Sequence, residues 1–228
     1  RDEMARLDGK ISGRVSIGMI TSAAQSTLAA SSAKIAVQYP EIQLLVCEGY
    51  TEVLVDWVAT GQLDIAIVNL PPGRSSIAAR HILDEEMMLA YGPSNKVELP
   101  TVVPYRRLKD LSIVIPSRRH GLRRILDATA AEVDFTLKPR LEIDTLSAIC
   151  EIIATTDLIT VLPGIALYPD LSAGRIEAHR LRKPGIVRTI AWVTNPRRVV
   201  SAAMTAVMDI IAEDLQTAAT SASRLVNR

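Results

Sequence analysis

The chain has 228 residues, of which 48% are hydrophobic and 22% charged, a composition that indicates a soluble globular protein and excludes a disordered one. Lys and Arg number 26 against 25 Asp and Glu, so the net charge of +1 offers no basic excess for binding DNA or a membrane surface. No apolar stretch approaches the roughly 18 residues of a spanning helix, and the charged start at Arg1–Lys10 is unlike a secretory leader.

Short β-rich runs alternate with helical patterns in the first half of the chain, which predicts β–α units and a mostly parallel sheet. Helices are predicted to begin at Thr21 with Ser22 and at Thr51, directly after strands. The predicted strands are Val15–Ile20, Ile42–Cys47 and Leu63–Val68, followed by a long extended segment at Ala78–Tyr91.

The second half repeats this alternation after a proline-punctuated connection. Helices are predicted at Gly121–Val133, after Asp144 or Thr145, and from Asn195–Pro196 onward. The predicted strands are Leu111–Ile115, Leu141–Ile143, Leu158–Leu162 and Ile186–Thr194. Two similar α/β lobes follow from this pattern, and a ligand cleft is expected where strands end and helices begin.

Small hydroxyl residues occupy these strand-to-helix junctions. They are Thr21 with Ser22, Thr51, Ser117 after Pro116, and Thr145. A helix N-terminus offers unpaired N–H groups and partial positive charge, so these positions are suited to a carboxylate, sulfate or phosphate. The alternative is that each hydroxyl caps its own helix.

A basic cluster follows the Pro116–Ser117 junction, with Arg118, Arg119 and His120 leading into a helix and with Arg123 and Arg124 one turn further on. One guanidinium could form a bidentate pair with an anionic ligand, and Arg118 is the candidate. The alternative for the cluster is a solvated basic face, with Arg123 or Arg124 packing its stem on the neighbouring helix.

Signals for catalysis, metal binding and cofactors are weak. Ser31 and Lys34 fit S-x-x-K without a companion signature, and His81, His120 and His179 lack metal-ligand spacing. Cys47 and Cys150, far apart in apolar contexts, indicate buried thiols in a reducing compartment. We therefore expect a cytoplasmic protein that is not an enzyme, with no cofactor and no metal.

Taken in order, the junctions resemble the effector-binding domain of LysR-type transcriptional regulators. The matching segments are GRVSIG (Gly13–Gly18), the run Tyr39–Val68 with its P-x-I, L-x-x-G and G-x-L-D-x-A-I motifs, EEMMLAYGP (Glu85–Pro93), R-x-x-L-D (Arg123–Asp127) and ITVLPG (Ile159–Gly164). The resemblance extends from Gly13 to about Leu215. Thr156, Asp157 and Leu158 stand where the family usually has G-x-G.

The resemblance implies two Rossmann-like lobes joined by two crossover strands, as in type 2 periplasmic binding proteins. The implied domains are the end of a linker helix at 1–12, lobe I at 13–86 plus 192–216, lobe II with the hinge strands at 87–191, and a flexible tail at 217–228.

The resemblance also implies a small anionic metabolite as effector, bound in the cleft between the lobes. Thr21, Ser22, Thr51, Pro116 and Ser117 match the family's effector-contacting places, and Thr145 fits less closely. A homodimer or homotetramer is implied, together with DNA binding through an N-terminal domain absent from this chain and no membrane partner. The alternative is a periplasmic-type solute-binding protein of a transporter, which would need a signal peptide.

Overall fold

The computed structural model describes residues 11–70 and 78–226. Residues 1–10 of the expected linker helix lie outside these ranges. The chain forms two compact units, the first made of the described residues up to Leu83 with Thr189–Thr217, the second of Asp84–Arg188 with the residues from Ala218.

The described elements follow one another in a β–α alternation with a long central strand. In chain order they are β1 (Gly13–Met19), α1 (Thr21–Gln38), β2 (Ile42–Glu48), α2 (Thr51–Thr60), β3 (Ile65–Leu70), β4 (Ala78–Tyr91), β5 (Val102–Pro104), a 3-10 helix (Tyr105–Asp110), β6 (Val114–Ile115), α3 (Gly121–Glu132), β7 (Leu141–Glu142), α4 (Leu146–Thr155), β8 (Ile159–Pro163), α5 (Gly164–Ser172), β9 (Glu177–Arg182), β10 (Val187–Thr194) and α6 (Ala202–Leu225). Among the described residues, no helix combines the length and apolarity needed to cross a membrane.

The sheet of the first unit has the order β2-β1-β3-β10, with β1, β2 and β3 parallel and β10 antiparallel to β3. Its buried strand residues include Ile17, Ile65 and Trp192. Gly18 lets α2 approach closely, because a Cβ there would lie 2.6 Å from Cδ2 of Leu54. The parallel strands therefore bring the starts of α1 and α2 to the same edge of the sheet.

The sheet of the second unit has the order β8-β4-β9-β5, with β8 and β9 antiparallel to β4 and β5 parallel to β9. The short strands β6 and β7 pair in parallel, and a bridge between Ile113 and Ile159 links this pair to β8. Buried residues of α3 and α4, such as Leu126 and Ile149, pack into one core with these strands. This packing fixes the end of β6, the point at which the chain continues into Pro116.

Two sequence predictions near the C-terminus are wrong. Asn195 and Pro196 form a turn rather than a helix start, because the Asn195 side chain accepts from the N–H of Arg197 and donates to the carbonyls that end α2. Ser201 caps α6 instead, its hydroxyl accepting from the N–H of Met204 at 3.2 Å. The expected flexible tail is helical as far as Leu225, and Ala222 in it is fully buried.

The turn at Thr156, Asp157 and Leu158, where the resemblance implies G-x-G, is held by a threonine side chain. The Thr156 hydroxyl donates to the carbonyl of Ile152 at 2.7 Å and accepts from the N–H of Leu158 at 3.2 Å. The side chain of Asn95 donates to the carbonyl of Asp157. Side-chain hydrogen bonds therefore close this turn without glycine.

Candidate functional site

The first unit collects three candidate hydroxyls where its parallel strands end. Thr21 and Ser22 open α1 directly after β1, and Thr51 opens α2 two residues after Gly49. The N-cap residues of these helices are Ile20 and Tyr50, and neither helix start has a side-chain cap. None of Thr21, Ser22 and Thr51 therefore occupies the N-cap position of its helix.

Thr51 is tied to the end of β3 by an incoming hydrogen bond. The backbone N–H of Asn69 donates to the Thr51 hydroxyl oxygen at 3.2 Å. Because that bond uses a lone pair of the oxygen, the hydroxyl proton of Thr51 can still be donated. We call Thr21, Ser22, Thr51 and Asn69 the first strand-end surface.

The start of α1 supplies donors to the same surface. The carbonyl of Ile20 accepts from the N–H groups of Ala23 and Ala24, at 3.0 and 3.1 Å, so these two N–H groups are already bonded within the protein. The Thr21 side chain is half-buried and has no hydrogen-bonding partner among the described residues, whereas Ser22 is buried. The first strand-end surface thus offers a hydroxyl donor and a helix N-terminus, which favour a negatively charged group.

The second unit places Ser117 against a carboxylate that the sequence patterns did not single out as a site residue. Asp144 accepts from the Ser117 N–H at 2.8 Å through Oδ1 and from the Ser117 hydroxyl at 3.0 Å through Oδ2. The parallel pairing of Ile115 with Glu142 brings these two strand ends side by side. We call Pro116, Ser117, Arg118, Asp144 and Thr145 the second strand-end surface.

Arg123 of the basic cluster contacts this surface through the Pro116 carbonyl. Its guanidinium is buried and donates to Asp127, to Glu142 and to the carbonyl of Pro116, at 3.0, 2.7 and 3.3 Å. Arg123 therefore does not belong to a solvated face, in keeping with the expectation that Arg123 or Arg124 packs inward. Arg118 is exposed, in a position open to solvent or to a ligand.

Thr145 and His120 occupy the N-cap positions of the two neighbouring helices. Thr145 is exposed and makes no side-chain cap, so its hydroxyl is not committed to α4. The Nδ1 atom of His120 accepts from the N–H of Leu122 at 3.2 Å, which caps α3. Burial lowers the pKa of His120 below its ordinary 6.5, with Asp144 opposing and Arg188 reinforcing the shift.

A buried ion pair joins the two long strands inside the second unit. Glu85 on β4 accepts from Nε and Nη2 of Arg188 on β10 at 2.9 and 2.7 Å, and its other oxygen accepts from the N–H of Ile165 at 2.6 Å. The two side chains are 3% and 1% exposed. Glu85 is therefore a buried ion-pair partner and not part of a solvated acidic run.

The S-x-x-K residues form a structural contact. Ser31 donates to Oδ2 of Asp214 at 2.6 Å and is fully buried, and Lys34 pairs with the other oxygen of the same carboxylate. Helix packing therefore accounts for this motif. Within residues 11–70 and 78–226, no group of three or more His, Cys, Asp or Glu side chains is arranged to hold a metal ion.

The two thiols differ in accessibility. Both cysteines are free, Cys47 being half-buried and Cys150 buried. Burial raises the pKa of the Cys150 thiol to about 12, with Asp170 adding to the shift. Cys150 is therefore protonated at neutral pH and a poor nucleophile toward peroxide.

The family model of the LysR substrate binding domain matches residues 8–216 of this chain. The chain belongs to the LysR substrate binding domain family. A curated relative, the HTH-type transcriptional regulator BbuR of Bordetella bronchiseptica, is 28% identical over 195 residues, covering 85% of this chain and 60% of the relative. The chain thus spans about 60% of the length of this relative.

Two solved structures share the fold. OxyR of Corynebacterium glutamicum, solved as a cysteine-to-serine variant with H2O2 bound, matches at a TM-score of 0.77 and 16% identity, covering 97% of this chain and 72% of that one. The effector binding domain of QuiR in complex with shikimate matches at 0.73 and 17% identity, covering 91% of this chain and 99% of that one. The type 2 periplasmic-binding-protein-like α/β fold of LysR regulatory domains is confirmed.

Proposed function

We propose that this chain is the ligand-sensing part of a LysR-type transcriptional regulator and that it binds a small anionic metabolite through the strand-end surfaces of its units. LysR regulators bind small-molecule effectors and DNA, and the curated relative is named as a transcriptional regulator. That name favours a regulator over the solute-binding protein of a transporter. The family match over residues 8–216 carries the proposal.

The proposed contacts follow from the positions of the side chains. Thr21, Ser22 and Thr51 stand at the first turns of α1 and α2, where N–H groups and the helix dipole favour an anion. Pro116, Ser117, Arg118 and Thr145 supply the contacts from the second unit. Binding is proposed without catalysis, cofactor or metal.

The proposed output is a change in DNA binding. An effector with different affinities for two arrangements of the regulator shifts their populations, and a shift in the arrangement of a homodimer or homotetramer changes the spacing of its DNA-binding domains. The DNA-binding domains would belong to the N-terminal part of the whole regulator, a cytoplasmic protein. Reaction of Cys150 with peroxide is disfavoured as the signal, because its thiol is buried and protonated.

A thermal-shift screen with small carboxylic acids tests the proposal, with chloride at the same ionic strength as the reference. At least one acid is expected to raise the melting temperature, because it binds the folded state alone. Thr51→Val should then weaken the affinity for that acid by about tenfold, since one hydrogen bond to a charged group is lost.

Thr60→Val is the matched control for Thr51→Val. Thr60 lies at the other end of the same helix, where its hydroxyl donates to the carbonyl of Asp56. Thr60→Val should bind the acid with the same affinity as the wild-type chain. If no acid stabilises the chain, or if both variants bind with unchanged affinity, the proposed site is wrong.

A further inference from the structure

The second strand-end surface differs from the first in the hydrogen-bonding groups that it can present. The N–H of Ser117 donates to Oδ1 of Asp144 and its hydroxyl donates to Oδ2. Both donors of Ser117 are therefore committed inside the protein. A serine hydroxyl has one proton, so a ligand at Ser117 meets oxygen lone pairs instead of a donor.

The local backbone reinforces this arrangement. The Arg119 N–H points at the Ser117 oxygen, with the atoms 3.4 Å apart, and the start of α3 is capped by His120. The N–H of Leu122 is thus also taken by a side chain. The helix start beside Ser117 consequently has fewer free donors for an anion than a bare N-terminus would have.

The position of the carboxylate is fixed by the fold. Asp144 follows β7, and the Ile143 N–H bonds to the Ile115 carbonyl at 3.1 Å, so the ends of β6 and β7 cannot slide apart without breaking the pair. Ser117 and Asp144 are both half-buried, so neither residue is closed off from solvent. Each carboxylate oxygen has two lone pairs and can accept more than one hydrogen bond.

We infer that Asp144 is a specificity-determining residue that selects effectors carrying a hydroxyl or ammonium donor in addition to their acidic group. The inference rests on the proposed function and narrows its ligand class from small acids in general to hydroxy acids and amino acids. The donor of the effector would bond to Asp144 and to the lone pairs of Ser117. The acidic group would be held by other residues of the proposed site, since a second carboxylate beside Asp144 is repelled.

Matched pairs of acids test the inference on the wild-type chain. The probes are L-malate with succinate, shikimate with cyclohex-1-ene-1-carboxylate, and L-lactate with propionate, titrated by calorimetry at one ionic strength. Each pair differs by its hydroxyl groups. The hydroxylated member of at least one pair should bind about tenfold or more tightly than its partner, the effect of one hydrogen bond to a charged acceptor.

Asp144→Asn tests which residue carries the preference. The variant keeps the shape of the side chain and removes its charge, so the preference for the hydroxylated acid should shrink toward equality. Asp110→Asn is the control: it makes the same change on an exposed side chain of the same unit, where Asp110 pairs with Arg107. It should keep the wild-type preference. If Asp144→Asn does not fold, the wild-type pairs still decide the ligand class.

The outcomes separate the inference from the proposed function. Preference for a hydroxylated acid that is lost in Asp144→Asn alone supports the inference. Equal or tighter binding of the hydroxyl-free acids, or an unchanged preference in Asp144→Asn, overturns it while leaving a small-acid sensor in place. If none of the acids binds and the wider screen of acids finds none either, the proposed function fails and the inference fails with it.

Discussion

Thr51 in the first unit and Ser117 in the second each follow the end of a parallel strand, yet their hydroxyl groups bond in opposite directions. The Thr51 hydroxyl oxygen accepts from the N–H of Asn69, and its hydrogen can still be donated. The Ser117 hydroxyl donates a hydrogen bond to Asp144. The same sequence signal therefore produces a donor in one unit and an acceptor in the other, and only the partner residue decides which.

An ion pair in the second unit and one in the first differ in how deeply they are buried. In the second unit both side chains of the Glu85–Arg188 pair are buried. In the first unit Lys34, which pairs with Asp214, is 43% exposed. The two ion pairs thus differ in burial, and the predictions below test this contrast and the contrast between the two hydroxyls.

The largest effect is expected for Glu85→Gln. The change leaves the Arg188 guanidinium buried without a countercharge at Glu85, which should lower the free energy of unfolding by about 3–5 kcal/mol. Urea unfolding of the purified variant measures it.

Lys34→Met is the counterpart in the first unit. It removes a half-exposed partner of Asp214, while the Ser31 hydrogen bond to that carboxylate remains. The loss should be smaller than in Glu85→Gln. Equal losses in the two variants would contradict the contrast in buried charge.

An intermediate effect is expected for Ser117→Ala and for Thr51→Val. Each removes one hydroxyl hydrogen bond, so each should lower the free energy of unfolding by about 1 kcal/mol. In Ser117→Ala the backbone bond to Asp144 persists, whereas Thr51→Val leaves the Asn69 N–H without that acceptor.

The two variants should differ in ligand binding more than in stability. Thr51→Val is expected to weaken binding of every acid, and Ser117→Ala to weaken hydroxylated acids selectively. Calorimetry with malate and succinate compares them. If both variants weaken the two acids equally, the two hydroxyls do not have different roles.

The sequence predicted most of the fold because its signals are local. The bounds of β4 at Ala78–Tyr91 and the start of α1 at Thr21 follow from a run of residue types and from the end of a strand. The helix α5 and the strand β9 were missed. Pro163 and Gly164 predict the end of a strand and a loop after it, and Pro169 argues against a helix although it lies inside α5. Pro169 has no N–H to donate within α5, and the helix ends soon afterwards at Ser172.

The site was less accessible to sequence reasoning because its chemistry depends on distant partners. Ser117 and Asp144 are 27 positions apart, and only the pairing of β6 with β7 brings them together. The aspartate beside the candidate Thr145 was visible in the sequence as a helix cap, and the structure assigns it to Ser117 instead. Arg123 likewise cannot be separated from its exposed neighbours without knowing which face of α3 is buried.

The smallest effect is expected from pH. Because the pKa of His120 is lowered in the folded chain, the unfolded chain binds a proton there first as the pH falls through 6.5. Stability should therefore decline on acidification below that value, and His120→Asn, which can still cap α3, should decline less steeply. Thermal melts between about pH 7.5 and about pH 5.5 measure both slopes. Parallel slopes would show that His120 is not held neutral by the fold.

The most direct measurement is the set of backbone amide chemical shifts on adding the acid that stabilises the chain most. The largest changes are expected at Thr51 and Asn69 in the first unit and at Ser117 in the second, since these residues form the strand-end surfaces. Changes confined to other regions, with these three amides unmoved at saturation, would contradict the account.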